Sequence, residues 1–401
     1  MGGQESLNQA MQREDDGRTK VVSLYIGVPY CPSVCTYCDF NVYARRESEF
    51  DAYAQALTCE VKTVAESIAA PRAAKSLAFG GGTPSVLGID ALERIVRAAR
   101  DWFRFEPGAE WTLEANPGTV DLDKLRALRA LGLNRLSLGV QTFDDWRLQQ
   151  FNRRHTVADS YQAFEWARRA GFANLNLDLI FGLPNQTLAE WRATLERALE
   201  MAPEHLSLYG LQVEPRTVLQ KQIQLGRVPM PDADTAAEMY ELAVQVLGEA
   251  GFVHYEISNW ARPGFESRHN QTYWLNEPYL GLGAGAHSSW AGERYENIKS
   301  PRVYIERAGQ GQSPIASREA VSPAMQMSET VFLGLRLSAG VRWERFSARF
   351  GVDARELYSE PIELLSSWNM LEADAEGMRL TERGRLVSNQ LLWRFLPEDD
   401  E

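Results

Sequence analysis

The sequence predicts an α/β fold: six β–α units curled into a partial (β/α)6 barrel, then a small C-terminal α+β unit of winged-helix type. Three observations lead there. Short β-rich runs alternate with amphipathic stretches from about Val21 to Pro215, the pattern of parallel strands joined by right-handed crossovers. The residues least suited to a core gather where those strands end, the face on which β/α barrels carry their sites. The strands also alternate in polarity, which a sheet buried on both faces does not.

The strands are expected at VVSLYI from Val21, SLAFGG from Ser76, WTLEAN from Trp111, RLSLGV from Arg135, NLNLDLIFG from Asn174 and HLSLYGLQV from His205. Helices are expected over Phe50–Ile68, Asp90–Trp102, Val157–Ala170 and Leu188–Leu199, with a shorter one over Asp121–Leu131 capped by Asp121. The strand ends read GVPYC, GGGTPS, EANPG, GVQT, DLIFGLP and VEP. Leu175, Leu177 and Leu179 share one parity, and Asn176 and Asp178 share the other. Glu114 and Gln141 fall on the polar parity of their strands too. A lumen lined with such groups is costly unless it holds a polar ligand.

Beyond Pro215 the pattern changes. Met230–Pro301 mixes one helix, TAAEMYELAVQVLGEAG, with aromatic- and Gly-rich loops. After GQGQSPIAS the tail reads as helices plus a hairpin around Glu376–Gly377, closed by a helix over ERGRLVSNQLLWRFL. The expected divisions are a loose tail at 1–19, a core at 20–228, an extension at 229–314 and the winged-helix-like unit at 315–401. A winged helix raises the question of DNA, but a net charge of −12 over 401 residues argues against nucleic acid as a partner. No apolar run approaches the length of a membrane span, which leaves room only for peripheral membrane contact. The N-terminal stretch lacks the apolar core of a signal peptide, and clustered free thiols suit a cytoplasmic setting.

Three of the four cysteines, Cys31, Cys35 and Cys38, lie within eight residues. Zinc and ordinary iron–sulfur clusters take four ligands. The readings are a zinc site lacking a donor, inert buried thiols, or a [4Fe–4S] cluster with one iron left free. Cys59 does not complete the set. It follows Phe50 by nine residues on a helix whose stripe is Phe50, Tyr53, Ala54, Leu57, Val61 and Val64, so it points about 180° from that stripe.

C-x3-C-x2-C with an aromatic before the last cysteine resembles the radical S-adenosylmethionine (SAM) superfamily. The resemblance implies a [4Fe–4S] cluster on Cys31, Cys35 and Cys38 and SAM chelating its open iron. It further implies SAM contacts from Tyr25, Tyr37, Gly81, Gly82, Thr83, Glu114, Gln141, Arg153 and Asp178. Arg154 is one position from Arg153 and competes for its role, and a buried ion-pair network is the alternative for Glu114, Asp178 and Arg153. An electron donor is implied if SAM is cleaved.

The set YIGVPYCPSVCTYCDF, GGGTPS, EANPG, GVQTF and NLDLIFGLPNQT resembles, across nearly the whole chain, the oxygen-independent coproporphyrinogen III dehydrogenase group. The true dehydrogenases carry a further cysteine where this chain has Phe40, so the pattern is that of the HemW branch of haem chaperones. HNQTYW resembles that branch's haem motif, which implies haem contacts from His269, Asn270, Tyr273 and Trp274; His287 is a second candidate ligand. His205 and His254 read as packing residues and His155 as an orienter of Arg153. The resemblance implies haem as ligand and a haem-acceptor protein as partner. The alternatives are oxidative decarboxylation of coproporphyrinogen III and radical chemistry on another substrate.

Overall fold

The computed structural model describes residues 21–68 and 72–397; the expected tail at 1–19 lies outside them. All six expected strands form and alternate with the expected helices. They run β1 (Val22–Val28), α1 (Phe50–Ser67), β2 (Arg72–Gly81), α2 (Ile89–Trp102), β3 (Phe103–Ala115), α3 (Leu122–Ala130), β4 (Arg135–Gln141), α4 (Val157–Arg169), β5 (Leu175–Phe181), α5 (Leu188–Glu200) and β6 (His205–Gly210). Asp121 caps α3 by accepting from the Lys124 amide. Thr156 with Asp159 and Thr187 with Glu190 close capping boxes on α4 and α5. Strand β3 starts earlier than its apolar run, because Phe103 and Phe105 pair alongside Arg72 and Ala74.

β1 to β6 lie side by side and parallel. One parity of each strand is apolar and buried under the helices: Leu24 and Ile26, Leu113, Leu136 and Leu138, Leu175 to Leu179, Leu206 and Leu208. The other parity carries Ser23, Ser76, Glu110, Glu114, Ser137, Asn176, Asp178, His205 and Ser207, which gives the sheet the polar lumen that the alternation predicts.

The Met230–Pro301 region departs from expectation. Helix α6 (Ala233–Glu249) forms, but the surrounding loops are largely strands. β7 (Val253–Glu256) and β8 (Asn259–Ala261) extend the sheet beyond β6; then, after helix α7 (Arg268–Trp274), β9 (Tyr279–Leu282) pairs parallel to β1. β10 (His287–Trp290), β11 (Glu293–Asn297) and β12 (Ile315–Ala320) follow antiparallel, giving a 12-stranded sheet in the order β12-β11-β10-β9-β1-β2-β3-β4-β5-β6-β8-β7. These strands are short and lie toward the sheet's edges, where polar residues are tolerated. β12, at the start of the expected tail unit, pairs with β11 in the large sheet.

That unit starts with α8 (Pro323–Gly334) and has its own core around Val331, Leu335, Phe346, Leu365 and Phe395. Val341–Arg342, Gly377–Leu380 and Leu371–Ala373 form a three-stranded antiparallel sheet, the expected hairpin included. The last expected helix is broken at Val387, which packs against the unit's core. Among the described residues no helix is long and apolar enough to cross a membrane.

Glu60, on α1, is buried and ties the barrel to the β9–β11 extension. Its carboxylate accepts from the Gly283 amide (2.8 Å), Asn297 Nδ2 (2.6 Å) and the Tyr304 hydroxyl. Burial pushes the carboxyl up to about 7, against those three hydrogen bonds. A folded pKa above the unfolded one means that the stabilisation is complete below the unfolded value of 4.5 and is lost as pH rises through about 7. Melting temperature is therefore expected to fall between about pH 5 and 8, and Glu60→Gln is expected to flatten that fall; an unchanged slope in the variant contradicts the assignment.

Candidate functional site

Cys31 follows β1 in a two-residue strand, Tyr30–Cys31, that pairs with Tyr43–Ala44. The next two thiols sit on a turn in which the Cys38 amide bonds to the Cys35 carbonyl (3.2 Å). All four cysteines are free, and Cys59 is held apart on α1, where Gln55 Nε2 lies 3.8 Å from its sulfur. Cys31, Cys35 and Cys38 line one cavity of about 680 Å3 at the C-terminal ends of the strands. Tyr37, Gly81, Gly82, Thr83, Glu114, Gln141, Arg153 and Asp178 line it too. Tyr25 is not on that wall; it lies below it, under Gly80 and Gly81.

The glycine turn after β2 is dictated by close packing. A Cβ on Gly82 would sit 2.7 Å from the Tyr30 carbonyl oxygen, and one on Gly80 would sit 2.9 Å from Glu114 Oε1. Gly81 has φ +104°. The turn is sewn to the cysteine segment by the bonds Gly82 N to Val28 O and Thr83 N to Tyr30 O, both 2.8 Å.

A chain of contacts then circles the mouth. Cys31 Sγ is 3.3 Å from Thr83 Oγ1, which accepts from Asn116 Nδ2 (2.9 Å). Asn116 Oδ1 accepts from Arg153 (2.6 Å), and Arg153 Nη1 reaches Cys35 Sγ at 3.5 Å. Arg153, not the exposed Arg154, is the arginine at the thiols. It bonds to Asn116, the Gly139 carbonyl and Cys35 rather than to Glu114 or Asp178, so the buried ion-pair alternative does not hold. Asn116 is a site residue that the motif reading passed over, although EANPG placed it at a strand end. His155 bonds to the Val140 carbonyl (3.2 Å); burial and the adjacent Arg153 push its pKa down to about 4, so it stands neutral beside the guanidinium.

Burial raises the thiols: Cys31 upward, and Cys38 to about 11. The Cys31 and Cys38 sulfurs are thus neutral until a metal displaces their protons. Burial, and then the nearby Asp178, push Glu114 up to about 8, against a hydrogen bond from the Gly81 amide. Burial also raises Asp178, opposed by bonds from Ser137 and Asn176. Two carboxyls that oppose each other's ionisation in one lumen fit a ligand bearing positive charge.

The donor set fits an iron–sulfur cluster better than a lone ion. Among the described residues no three His, Cys, Asp or Glu side chains close on a point as ligands of one metal ion would. Three thiols around a shared cavity, with a guanidinium at one of them, suit the wider span and negative charge of a [4Fe–4S] centre.

The HNQTYW segment sits elsewhere. It is α7, which packs against β1, β2 and β3 through Thr272, His269 and its N-terminal amides, with the His269 ring stacked on Tyr25 at 6.3 Å. Ser76, its contact on β2, precedes Gly81 by five residues, about 16 Å along the strand. Thr272 Oγ1 meets Ser23 Oγ at 2.8 Å. The buried Glu110 carboxylate accepts from Ser267 Oγ and the amides of Arg268 and His269, anchoring the helix start. His269 is 4% exposed, and both ring nitrogens are engaged, with Ser76 Oγ and the Tyr273 hydroxyl at 2.8 Å each. Burial lowers its pKa to about 4. The Tyr273 ring meets His269 edge-on at 5.2 Å, Trp274 lies under the Arg336 guanidinium, and the Asn270 amide caps onto Ser267. Both ring nitrogens of His269 are engaged within the fold in this geometry. His287 is exposed but lies 3.4 Å from Glu296. His269→Ala is expected to cost about 1–3 kcal/mol of stability through the unpaired hydroxyls. Haem affinity of the folded variant is expected to stay within about threefold; loss of haem without loss of stability contradicts this placement.

This fold and site define a radical SAM protein: residues 25–198 match the Radical SAM superfamily, and residues 321–387 match the HemN C-terminal domain. The solved structure described as "Coproporphyrinogen III oxidase (HemN) from Escherichia coli is a Radical SAM enzyme" superposes with a TM-score of 0.83 at 26% identity, covering 98% of this chain and 93% of that one. Heme chaperone HemW of Bacillus subtilis is 37% identical over 94% of this chain and 99% of its own length. HemW of Lactococcus lactis is also 37% identical, over 94% and 98%. A mitochondrial radical S-adenosyl methionine domain-containing protein 1 from Bos taurus is 34% identical over 93% and 87%. The chain belongs to the HemW family.

Proposed function

We propose that this chain is a haem chaperone: it holds a [4Fe–4S] cluster on Cys31, Cys35 and Cys38 and SAM beside it, and it carries haem to an acceptor protein. The observation that carries this reading is Phe40. Where the dehydrogenase branch has a further cysteine, a phenyl ring stands 69% exposed at the cavity mouth and offers a flat apolar face in place of a thiol. The relatives named heme chaperones, matched over nearly the full length, support the same choice.

Gly81, Gly82 and Thr83 offer SAM a close backbone edge, and Glu114, Gln141 and Asp178 offer it acceptors. Arg153 offsets thiolate charge at Cys35, and Tyr37 fills the wall against Phe151. When bound, the cluster supplies the electron that breaks the sulfonium C–S bond, and an electron donor is needed if that step runs. The HNQTYW helix supports this site from the floor of the lumen, and the mouth is the face that meets haem. The cytoplasm, with its reducing thiol poise, is the setting that suits such a cluster.

The test is an anaerobic comparison on one reconstituted preparation. Haem binding with Soret absorbance and transfer to an apo-acceptor is expected, with no conversion of coproporphyrinogen III. Turnover to protoporphyrinogen IX without retained haem would establish the dehydrogenase reading instead.

A further inference from the structure

The lumen holds a run of buried hydrogen bonds with one direction. Asp178 accepts from Ser137 Oγ at 2.9 Å and from Asn176 Nδ2 at 2.8 Å. A carboxylate takes donors only, so the amide nitrogen of Asn176 faces it and the amide oxygen faces away. That oxygen lies 2.6 Å from His205 Nδ1 and accepts from Ser207 Oγ at 3.2 Å. An oxygen with no hydrogen obliges Nδ1 to carry the imidazole proton. Burial, and then Arg135, hold the ring neutral, so Nε2 is bare. The Tyr255 hydroxyl, 2.8 Å away, must then donate to it, and the Tyr255 oxygen accepts from the Ser267 amide at 3.2 Å. Ser267 is the N-cap of α7.

His205, Asn176, Ser207, Tyr255 and Ser267 are each less than one-tenth exposed. Neither His205 nor Tyr255 lines the cavity, whereas Asp178 does. A packing role for His205 requires no particular tautomer and no phenol at Nε2. The run supplies both, and it ends on a carboxylate that faces the cavity.

We propose that His205 and Tyr255 are positioning residues for SAM: they lock the Asn176 amide, which with Ser137 fixes the Asp178 carboxylate toward the cavity. This rests on the reading that Asp178 contacts SAM. Without His205 the amide keeps, besides Asp178, only its bonds to Ser137 (2.6 Å) and Ser207 (3.2 Å), and the orientation of Asp178 loosens. Supporting partners of this kind change ligand affinity by about tenfold in well-studied sites.

The test uses full-length, cluster-reconstituted protein and SAM itself, with affinity measured calorimetrically under anaerobic conditions. His205→Leu is expected to weaken SAM about tenfold. His205→Asn, whose amide nitrogen takes the place of Nδ1, is expected to recover to within about threefold. Tyr255→Phe keeps the ring and removes the donor, so it decides the matter if His205→Leu fails to fold; weaker SAM binding at unchanged iron content is expected. In 15N-histidine spectra of the wild type, His205 is expected as the Nδ1–H tautomer. An Nε2–H tautomer, or wild-type SAM affinity in both Tyr255→Phe and a folded His205→Leu, overturns the proposal. Asp178→Asn separates the two levels. If it leaves SAM affinity unchanged, the contact itself is wrong; if it weakens SAM while the His205 and Tyr255 variants do not, only the positioning role fails.

Discussion

Cys35→Ala is expected to abolish the broad iron–sulfur absorbance of the reconstituted protein and to drop its iron from about four per chain to nearly none. Three thiolates are the minimum for this centre, and Cys59 does not move in to help; it sits on α1 beside Gln55. The loss also strips Arg153 of its sulfur partner. Haem binding is expected to survive in part, since Phe40 at the rim does not depend on the Cys35 sulfur. Anaerobic iron assay, visible spectra and a melting curve on the same sample check this. Retained cluster contradicts the ligand set. Joint loss of iron, haem and cooperative melting would mean that the thiol holds the fold itself.

Gly82→Ala is the second large effect, and it acts through backbone. The added methyl would meet the carbonyl oxygens of Tyr30 (2.7 Å) and Val28 (2.9 Å), atoms of the strand that delivers Cys31. Neither belongs to a flexible side chain, so the turn and the strand must part. Overpacking of this kind costs about 1–3 kcal/mol. Lower cluster occupancy should accompany the loss, because the Thr83 contact to Cys31 moves with the turn. Gly248→Ala is the control: it lies in α6 with open space around it and is expected to stabilise by about 0.5–1 kcal/mol. Equal melting temperatures and iron contents for Gly82→Ala and the wild type would refute the account of the turn.

The barrel was legible because period-two polarity in β3 to β5 leaves little choice of face: Leu175, Leu177 and Leu179 go under helices, and Asn176 and Asp178 go inward. Helix starts were legible where a cap is local, as at Asp121. The β7–β12 strands were not, since their pairing depends on partners far along the chain. β12 reads IASREA and is almost wholly exposed. Glu60 escaped notice because it lies about 70° from the centre of the α1 stripe, and its partners Gly283, Asn297 and Tyr304 are distant in the chain. The cysteines and the glycine turn were readable as motifs. The direction of the His205 run was not, because it follows from which atom faces which. HNQTYW was readable as a motif, but the two internal partners of its histidine, Ser76 and Tyr273, were not, because a histidine with such partners looks the same in sequence as a free one.

The central claim is that the chain leaves one iron of its cluster for a ligand it does not supply. Mössbauer spectroscopy on anaerobically reconstituted, 57Fe-labelled protein, recorded with and without SAM, tests this most directly. The account predicts a [4Fe–4S] centre in which one iron is distinct from the other three and shifts when SAM is added. A centre with four equivalent thiolate-bound irons, indifferent to SAM, would contradict it.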